Sequence, residues 1–298
     1  MASGPWITPR ASPAPALLAI ILIAVCARPV WAQGCFYTKD KASGKPAKPV
    51  YLTLDTGHMA VAPLIAEVLN KHRVKATFFA ANERTQTGDG SLGAHWAPWW
   101  KARAGEGHAF ASHTYDHSYW RGDVAAATGL PLRFKIRASA GPLEGKDLIW
   151  TAAQYCGEIA KAGTRLQEIT GQKPLPLFRA PGGKTSPALL AAAKTCGYDH
   201  VGWSAAGFLG DELPSDRYPN EQLLNTALRD IRPGDILLAH LGIWSRQDPW
   251  APAVLEPLIV GLKARGFCFE TLREHPRYKV WIDAQARPTP VKPAQAEK

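Results

Sequence analysis

The stretch VYLTLDTGHM, residues 50–59, decides the fold. Val50–Leu54 is an apolar run of strand length that stops abruptly at an acid, Asp55, followed by a neutral hydroxyl, Thr56, then Gly57 and His58. A short apolar run that turns at a glycine and leads into a helical pattern over Ala60–His72 reads as a buried strand feeding a helix. The pairing recurs along the chain. Further strands are expected at Ala76–Ala80, His108–Ser112, Leu177–Arg179, His200–Trp203, Ile236–Ala239 and Phe267–Thr271. Helices are expected at Ala97–Ala104, Leu148–Thr170, Ser186–Thr195, Asn220–Ile231 and Ala253–Arg265. This alternation argues for an α/β fold with a parallel sheet or barrel and helices outside. The Gly/Ala-rich segment Tyr119–Gly145 reads as a long loop inserted over one face.

The chain has 298 residues, 46% of them hydrophobic, which suffices for a full core. Residues 1–32 read as a cleaved export signal. Arg10 precedes an apolar run, Leu17–Val25, that is too short to span a bilayer comfortably, and Val30 and Ala32 sit at the −3 and −1 positions before Gln33. No other segment reaches transmembrane length, so no stable membrane insertion is expected after cleavage. The expected location is the periplasm or the exterior. Residues 33–48, rich in Lys, Pro and Gly, read as a linker; 49–276 as one domain; 277–298 as a C-terminal tail, frayed from Arg287 onward. The net charge is +10, and loss of Arg10 and Arg28 with the leader leaves the chain clearly basic. That suits an anionic polymer or surface, and with no long Lys/Arg run it does not imply nucleic acid. Cys35, Cys156, Cys196 and Cys268 allow two disulfides in three pairings, or buried free thiols. The absence of CxxC and of HExxH argues against a thiolate zinc site and against a helical zinc peptidase.

In a parallel α/β fold, functional groups gather at the carboxyl ends of strands. Four polar clusters fall there: Asp55–His58, Ser112–His117, Arg179–Gly183 and His240. His113 and His117 are four apart, so one helical turn would aim both imidazoles at one divalent metal, with bonds of roughly 2.0–2.1 Å for zinc. Asp55 is either a cap for the next helix or a general base beside a metal-bound water. Arg179 is either a structural ion pair or the group that aims Asp55, because its fork is planar and permanently charged. His240 is either a core histidine or a general acid.

These residues resemble the polysaccharide deacetylases with a NodB-homology domain, carbohydrate esterase family 4. The likeness runs from about Pro49 to Pro276. Thr53-Leu-Asp-Thr-Gly57 is similar to the family's TFDDG, His113-Thr-Tyr-Asp-His117 to its H(S/T)xxH, Arg179-Ala-Pro-Gly-Gly183 to its RxPxG, and Leu238-Ala-His240 to its LxH. The resemblance implies a distorted (β/α)7 barrel and metal-assisted removal of N- or O-linked acetyl groups from a polysaccharide or peptidoglycan-like glycan. It implies Asp55 as base, His113 and His117 as metal ligands, Arg179 as the orienting group and His240 as acid. It further implies a supporting carboxylate, assigned to Asp211, and an oxyanion contact from the backbone N–H near Tyr115. Pro181, Trp203 and Trp244 are expected to line the substrate site. Trp96, Trp99, Trp100, Trp120 and Trp250 are further candidates for stacking on sugar rings.

One departure stands out. Thr56 occupies the position where the family carries a second aspartate, its third metal ligand, so the ligand set is incomplete. The metal expected is zinc, with cobalt or nickel compatible, and three repairs are open: His58 as replacement ligand, favoured because a neutral imidazole binds zinc well, Asp55 itself as ligand, or weak binding through the two histidines and waters; His58 is otherwise read as a substrate contact at the mouth. The alternative function is a catalytically impaired glycan-binding domain derived from a deacetylase.

Overall fold

The computed structural model describes Met1, Cys35, residues 48–125 and residues 132–286. The leader, most of the expected linker and the segment from residue 287 lie outside the described residues. The chain begins with β1 (Lys48–Asp55), α1 (Ala62–Lys71), β2 (Thr77–Ala80), α2 (Ala97–Gly105) and β3 (Ala109–Ser112). Three strands follow, β4 (Ser118–Val124), β5 (Arg133–Ala138) and β6 (Asp147–Thr151), then α3 (Ala152–Thr170), β7 (Leu177–Phe178), α4 (Pro187–Thr195) and β8 (Asp199–His200). The chain continues through α5 (Asn220–Asp230), β9 (Ile236–His240), α6 (Leu255–Ala264), β10 (Phe267–Phe269) and α7 (Pro276–Ala286).

β1 is the axis of a seven-stranded sheet in which every ladder is parallel, as the alternation of strands and helices requires. One edge of β1 pairs with β2, and beyond it come β3, β7 and β8. The other edge is shared: β10 takes Lys48–Val50, and β9 takes Tyr51–Asp55. Among the described residues the ladders do not close into a full barrel. Between β8 and β9 the chain past Val201 runs irregularly, joined to β9 by one parallel bridge, Phe208 to Leu238. This is the distortion expected of the architecture.

Strand alternation sorts β1 into two faces. Val50, Leu52 and Leu54 enter a large core with Ile65 and Leu69 of α1 and Leu255, Leu258 and Leu262 of α6. Tyr51 faces the other way, into a cluster with Phe79, Leu177 and Val201, so Thr53 and Asp55 share that inner face. Tyr278 and Ile282 of α7, four apart on one helical face, cover Tyr51 in the same cluster. The tail expected from residue 277 therefore begins as a packed helix.

The expected loop Tyr119–Gly145 is also corrected. β4, β5 and β6 form a separate antiparallel sheet. Phe134, Ile136 and Ala138 are buried while Arg133, Lys135 and Arg137 are exposed, a period-two pattern that makes a half-buried strand. The apolar side packs on Tyr155 and Ile159 of α3 and Leu189 of α4. The helix expected from Leu148 starts only at Ala152, where Thr151 and Gln154 form a reciprocal capping box. Disulfides join Cys35 to Cys268, fastening a residue of the expected linker to β10, and Cys156 to Cys196, joining α3 to the end of α4. No helix among the described residues is long and apolar enough to cross a membrane.

Candidate active site

The register of β1 against β9 places Asp55 directly beside His240. Asp55 is 2% exposed, and Arg179, fully buried, donates from Nη1 to its Oδ1 at 2.6 Å. The rest of the guanidinium is spent on neighbours. Nε donates to the Val201 carbonyl at 3.1 Å, and Nη2 to Thr53 Oγ1 at 2.9 Å and the Gly202 carbonyl at 3.2 Å. The Phe79 ring lies 4.2 Å below it. Burial alone pushes the Asp55 carboxyl up, but the charges of Arg179, His113 and His240 and the Arg179 hydrogen bond outweigh it and hold the group below the ordinary carboxylate value. Asp55 caps nothing: α1 starts at Ala62 with Val61 at its N-cap and no side-chain capping bond.

The segment His113–His117 is not the helical turn expected. It leaves β3 with Thr114 and His117 in the left-handed region, at φ 60° and 46°. The imidazoles still meet, with ring centroids 4.8 Å apart. His113 Nδ1 stands 2.9 Å from the Arg179 carbonyl, which can only accept, so in the neutral ring Nδ1 carries the proton and Nε2 is bare. That Nε2 lies 3.5 Å from Asp55 Oδ2. His117 Nδ1 is 2.6 Å from Ser139 Oγ, whose own proton goes to the His117 carbonyl at 3.1 Å, so His117 Nε2 is bare as well. Burial is the largest influence on His117 and pushes its ring down to about 4. With Nδ1 engaged on each ring, Nε2 is the free donor, the arrangement in which histidines bind metals.

Asp211 stands where a supporting carboxylate is expected. It accepts from the His240 backbone N–H at 2.6 Å and lies 3.1 Å from His240 Nδ1. Burial would lower the His240 value, but Asp211, Asp55 and Glu212 together raise it to about 9.

Several expected site residues lie elsewhere. His58 does not join His113 and His117. Its Nδ1 accepts from the Ala60 N–H at 3.1 Å, its ring meets Trp244 edge-on at 5.0 Å, and a side chain at Gly242 would strike it. His58 thus lines the cavity beside His240, Asp211 and Trp250. Tyr115 is packed against the core under Lys161, and its N–H donates to the Glu158 carbonyl at 3.0 Å, so helix α3 takes the donor expected for an oxyanion. Trp96, Trp100 and Trp250 are core residues, Trp99 packs against the same core, and Trp120 packs against the cluster under β5. Trp244 is 61% exposed beside His58. Trp203 is half-buried and packs against the Pro181–Gly183 turn, where a side chain at Gly183 would collide with its ring. The sequence reading missed Ser139, which carries no local motif and reaches His117 only through the β5 hairpin.

The sequence pattern described as Polysaccharide deacetylase matches residues 42–201, more than half of the chain. The chain belongs to the polysaccharide deacetylase family. Among its relatives, the chitooligosaccharide deacetylase of Azorhizobium caulinodans is 27% identical over 233 residues, covering 75% of this chain and 92% of that protein. The peptidoglycan-N-acetylmuramic acid deacetylase PdaA of Bacillus subtilis is 25% identical over 226 residues, covering 76% and 70%. In fold, this deacetylase-family chain is similar to a family 4 acetyl xylan esterase from Clostridium thermocellum in complex with a cobalt ion, at a TM-score of 0.57, 24% identity and coverage of 78% and 92%. It is similar also to a family 4 pseudoenzyme from Bacillus anthracis, at 0.53, 20% identity and coverage of 77% and 65%.

A divalent cation suits part of this site. The bare Nε2 atoms of His113 and His117 are its natural donors. Glu83 approaches His117 from the other ring nitrogen, Oε1 lying 3.7 Å from Nδ1, and its Oε2 is buried without a hydrogen-bond partner among the described residues. Thr56 is not such a donor in this conformation: its hydroxyl accepts from the Ala81 N–H at 3.0 Å. Among the described residues no three His, Cys, Asp or Glu side chains stand already gathered around a common point.

Proposed function

We propose that this protein hydrolyses acetyl groups, N- or O-linked, from an acetylated polysaccharide or peptidoglycan-like glycan, with a divalent cation held by His113 and His117. The observation that carries the reading is the juxtaposition of Asp55 and His240 across one ladder, the carboxyl held low and the imidazole held high. A base and an acid whose proton affinities are pushed apart are what hydrolysis near neutral pH needs. Held by His113 and His117, zinc, or cobalt or nickel in its place, would supply Lewis-acid polarisation of the acetyl carbonyl and acidification of a water. Asp55 accepts the proton of the attacking water. Arg179 keeps Asp55 ionised and aimed, since its other donors are fixed on the Val201 and Gly202 carbonyls. His240, protonated at Nε2 and braced by Asp211 at Nδ1, delivers a proton to the departing nitrogen or oxygen. Trp244 offers an exposed ring face for a sugar. The two disulfides support the reading of an exported chain.

Thr56 favours a second reading, a glycan-binding domain that has lost turnover. The retained pairs Asp55–Arg179 and Asp211–His240 favour the enzyme, because binding alone requires neither. Acetate release from acetylated chito-oligosaccharides and acetylated xylan, measured with zinc and with chelator, decides between them. Release that chelator stops supports the hydrolase. Glycan binding with no release under either condition establishes the second reading.

A further inference from the structure

We propose that the outer face of the β4–β6 sheet docks an acidic polysaccharide, a glycan chain bearing carboxylates, and leads it to the active site. The inference rests on the hydrolase reading given above and deepens it by naming the class of polymer.

Strand register sets the face. On β5, Phe134 and Ile136 turn inward onto α3 and α4, so Arg133, Lys135 and Arg137 turn outward, and all three are exposed. Alternate positions of a strand lie roughly 7 Å apart, so the three cations form a straight row. Tyr119 and Gly122 of β4 flank the row on one side, opposite Arg137 and Lys135, and Asp147 and Ile149 of β6 flank it on the other. A side chain at Gly122 would meet nothing within 4 Å, so the face is bare beside Lys135.

The row points at the imidazoles. β4 starts directly after His117, and β5 ends beside Ser139, whose hydroxyl meets His117 Nδ1 at 2.6 Å. The Tyr119 ring stands edge-on to His117 at 4.9 Å, and a side chain at Gly182 would strike that same ring. Tyr119 therefore joins the basic row to the Pro181–Gly183 turn. Arg137 is the cation of the row nearest the site, with Lys135 and then Arg133 farther out. A glycan whose reacting unit lies beside His117 can continue over the row without leaving the protein surface.

The charges on this face are poorly matched. Elsewhere exposed cations stand beside carboxylates, as Lys71 does by Glu256, Arg165 by Glu168 and Arg229 by Asp230. Here Asp147 reaches Arg137 at 3.6 Å with both side chains well exposed, and among the described residues no carboxylate pairs with Arg133 or Lys135. Arg121 adds a further cation, lying over the Tyr119 ring at 5.5 Å. Asp123 is engaged on the inner side, accepting from the Trp120 indole and from Ser186. Such an excess of positive charge is the electrostatic complement of a polyanion. A bilayer fits less well. Membrane-surface elements pair basic residues with a broad apolar side, and among the described residues Ile149 is the one large apolar side chain exposed on this face.

The test is binding of the full chain to polygalacturonate, independent of turnover, with neutral dextran as control. Combining Arg133→Thr, Lys135→Thr and Arg137→Thr removes the row with a side chain suited to a strand, and unchanged thermal unfolding verifies the fold. Wild-type protein should bind polygalacturonate and not dextran, more weakly as salt rises. The triple variant should lose roughly tenfold or more in affinity, the product of three exposed contacts that are each modest. Lys135→Thr alone leaves the Arg137–Asp147 pair intact and should show a smaller loss in the same direction, which keeps the test open if the triple variant misfolds. Acetate release from short, neutral acetylated chito-oligosaccharides should be unchanged in both variants. Equal affinity of wild type and variants for polygalacturonate overturns the proposal, and so does a wild type that fails to bind it. Binding only to phosphatidylglycerol vesicles, lost in the triple variant, also overturns it and makes the face a membrane surface. An equal loss of release from the neutral oligosaccharides makes the row part of the site itself and overturns the docking role. Polygalacturonate binding that the variants lose, in a protein that releases no acetate, upholds the proposal and sinks only the hydrolase.

Discussion

Asp211 holds His240 at two points, accepting from its backbone N–H at 2.6 Å and facing ring Nδ1 at 3.1 Å. The same carboxylate therefore fixes where the ring stands and how strongly it keeps a proton. Asp211→Asn retains the shape and discards the charge, leaving burial to push His240 down. In the wild type, acetate release should hold until His240 deprotonates near pH 9 and should fall on the acid side below the ordinary carboxylate range, where Asp55 protonates. In Asp211→Asn the alkaline limb should move down by roughly one pH unit or more. A pH–rate profile with the limb in place removes Asp211 from this role.

Stability should carry the same signature. His240 is raised from 6.5 to about 9 on folding, so its contribution is complete below 6.5 and disappears as pH climbs through about 9. Denaturant unfolding at pH 6 and pH 10 should show that loss in the wild type and a much smaller one in Asp211→Asn. Equal losses in the two proteins would place the alkaline sensitivity elsewhere.

His240→Ala should slow acetate release by roughly 10²–10⁴-fold, the ordinary worth of one acid–base group. The loss should be far smaller with an aryl acetate, whose leaving group departs without a proton. An equal loss on both substrates argues for a binding role instead.

Arg179→Met leaves the Asp55 carboxylate buried without its partner. Breaking such a pair typically costs about 3–5 kcal/mol, and here it also frees the Val201 and Gly202 carbonyls and Thr53 Oγ1 from their donor. Chemical denaturation should register the fall. Adding Asp55→Asn should recover part of it, and a double variant no better than the single one would mean the charge is not what is lost.

Ser139→Ala deletes the acceptor that fixes the His117 tautomer. Zinc affinity should drop by about 10–100-fold with the cobalt spectrum preserved. Full retention of affinity would show that the left-handed backbone at His117 suffices to aim the ring.

The strand–helix alternation and the strand-end positions of Asp55, His113, His117, Arg179 and His240 were legible because each sits beside a short apolar run bounded by turn residues. The β4–β6 sheet was obscured by its charged outer face and the Gly/Ala-rich flanks, although the alternation of Arg133, Lys135 and Arg137 with buried neighbours was present in the sequence. His58 was misplaced because distance along a turn does not say which way a side chain leaves it. The Trp residues were overcounted as sugar contacts, since an indole on a helix such as α2 buries as readily as it binds. Ser139 reaches His117 through a chain segment that only the tertiary fold brings to the imidazoles.

Gly57 and Gly242 touch across the ends of β1 and β9. A methyl group on Gly57 would run into the Gly242 carbonyl, and that carbonyl also receives the His58 N–H at 3.1 Å. The turns that follow Asp55 and His240 are thus riveted together at a seam with no room for a single extra carbon. Under the hydrolase proposed above, hinge motion has to arise outside that seam, and adaptation to a new polymer has to remodel outlying positions such as the exposed Trp244, while Asp55 and His240 travel as one rigid cartridge.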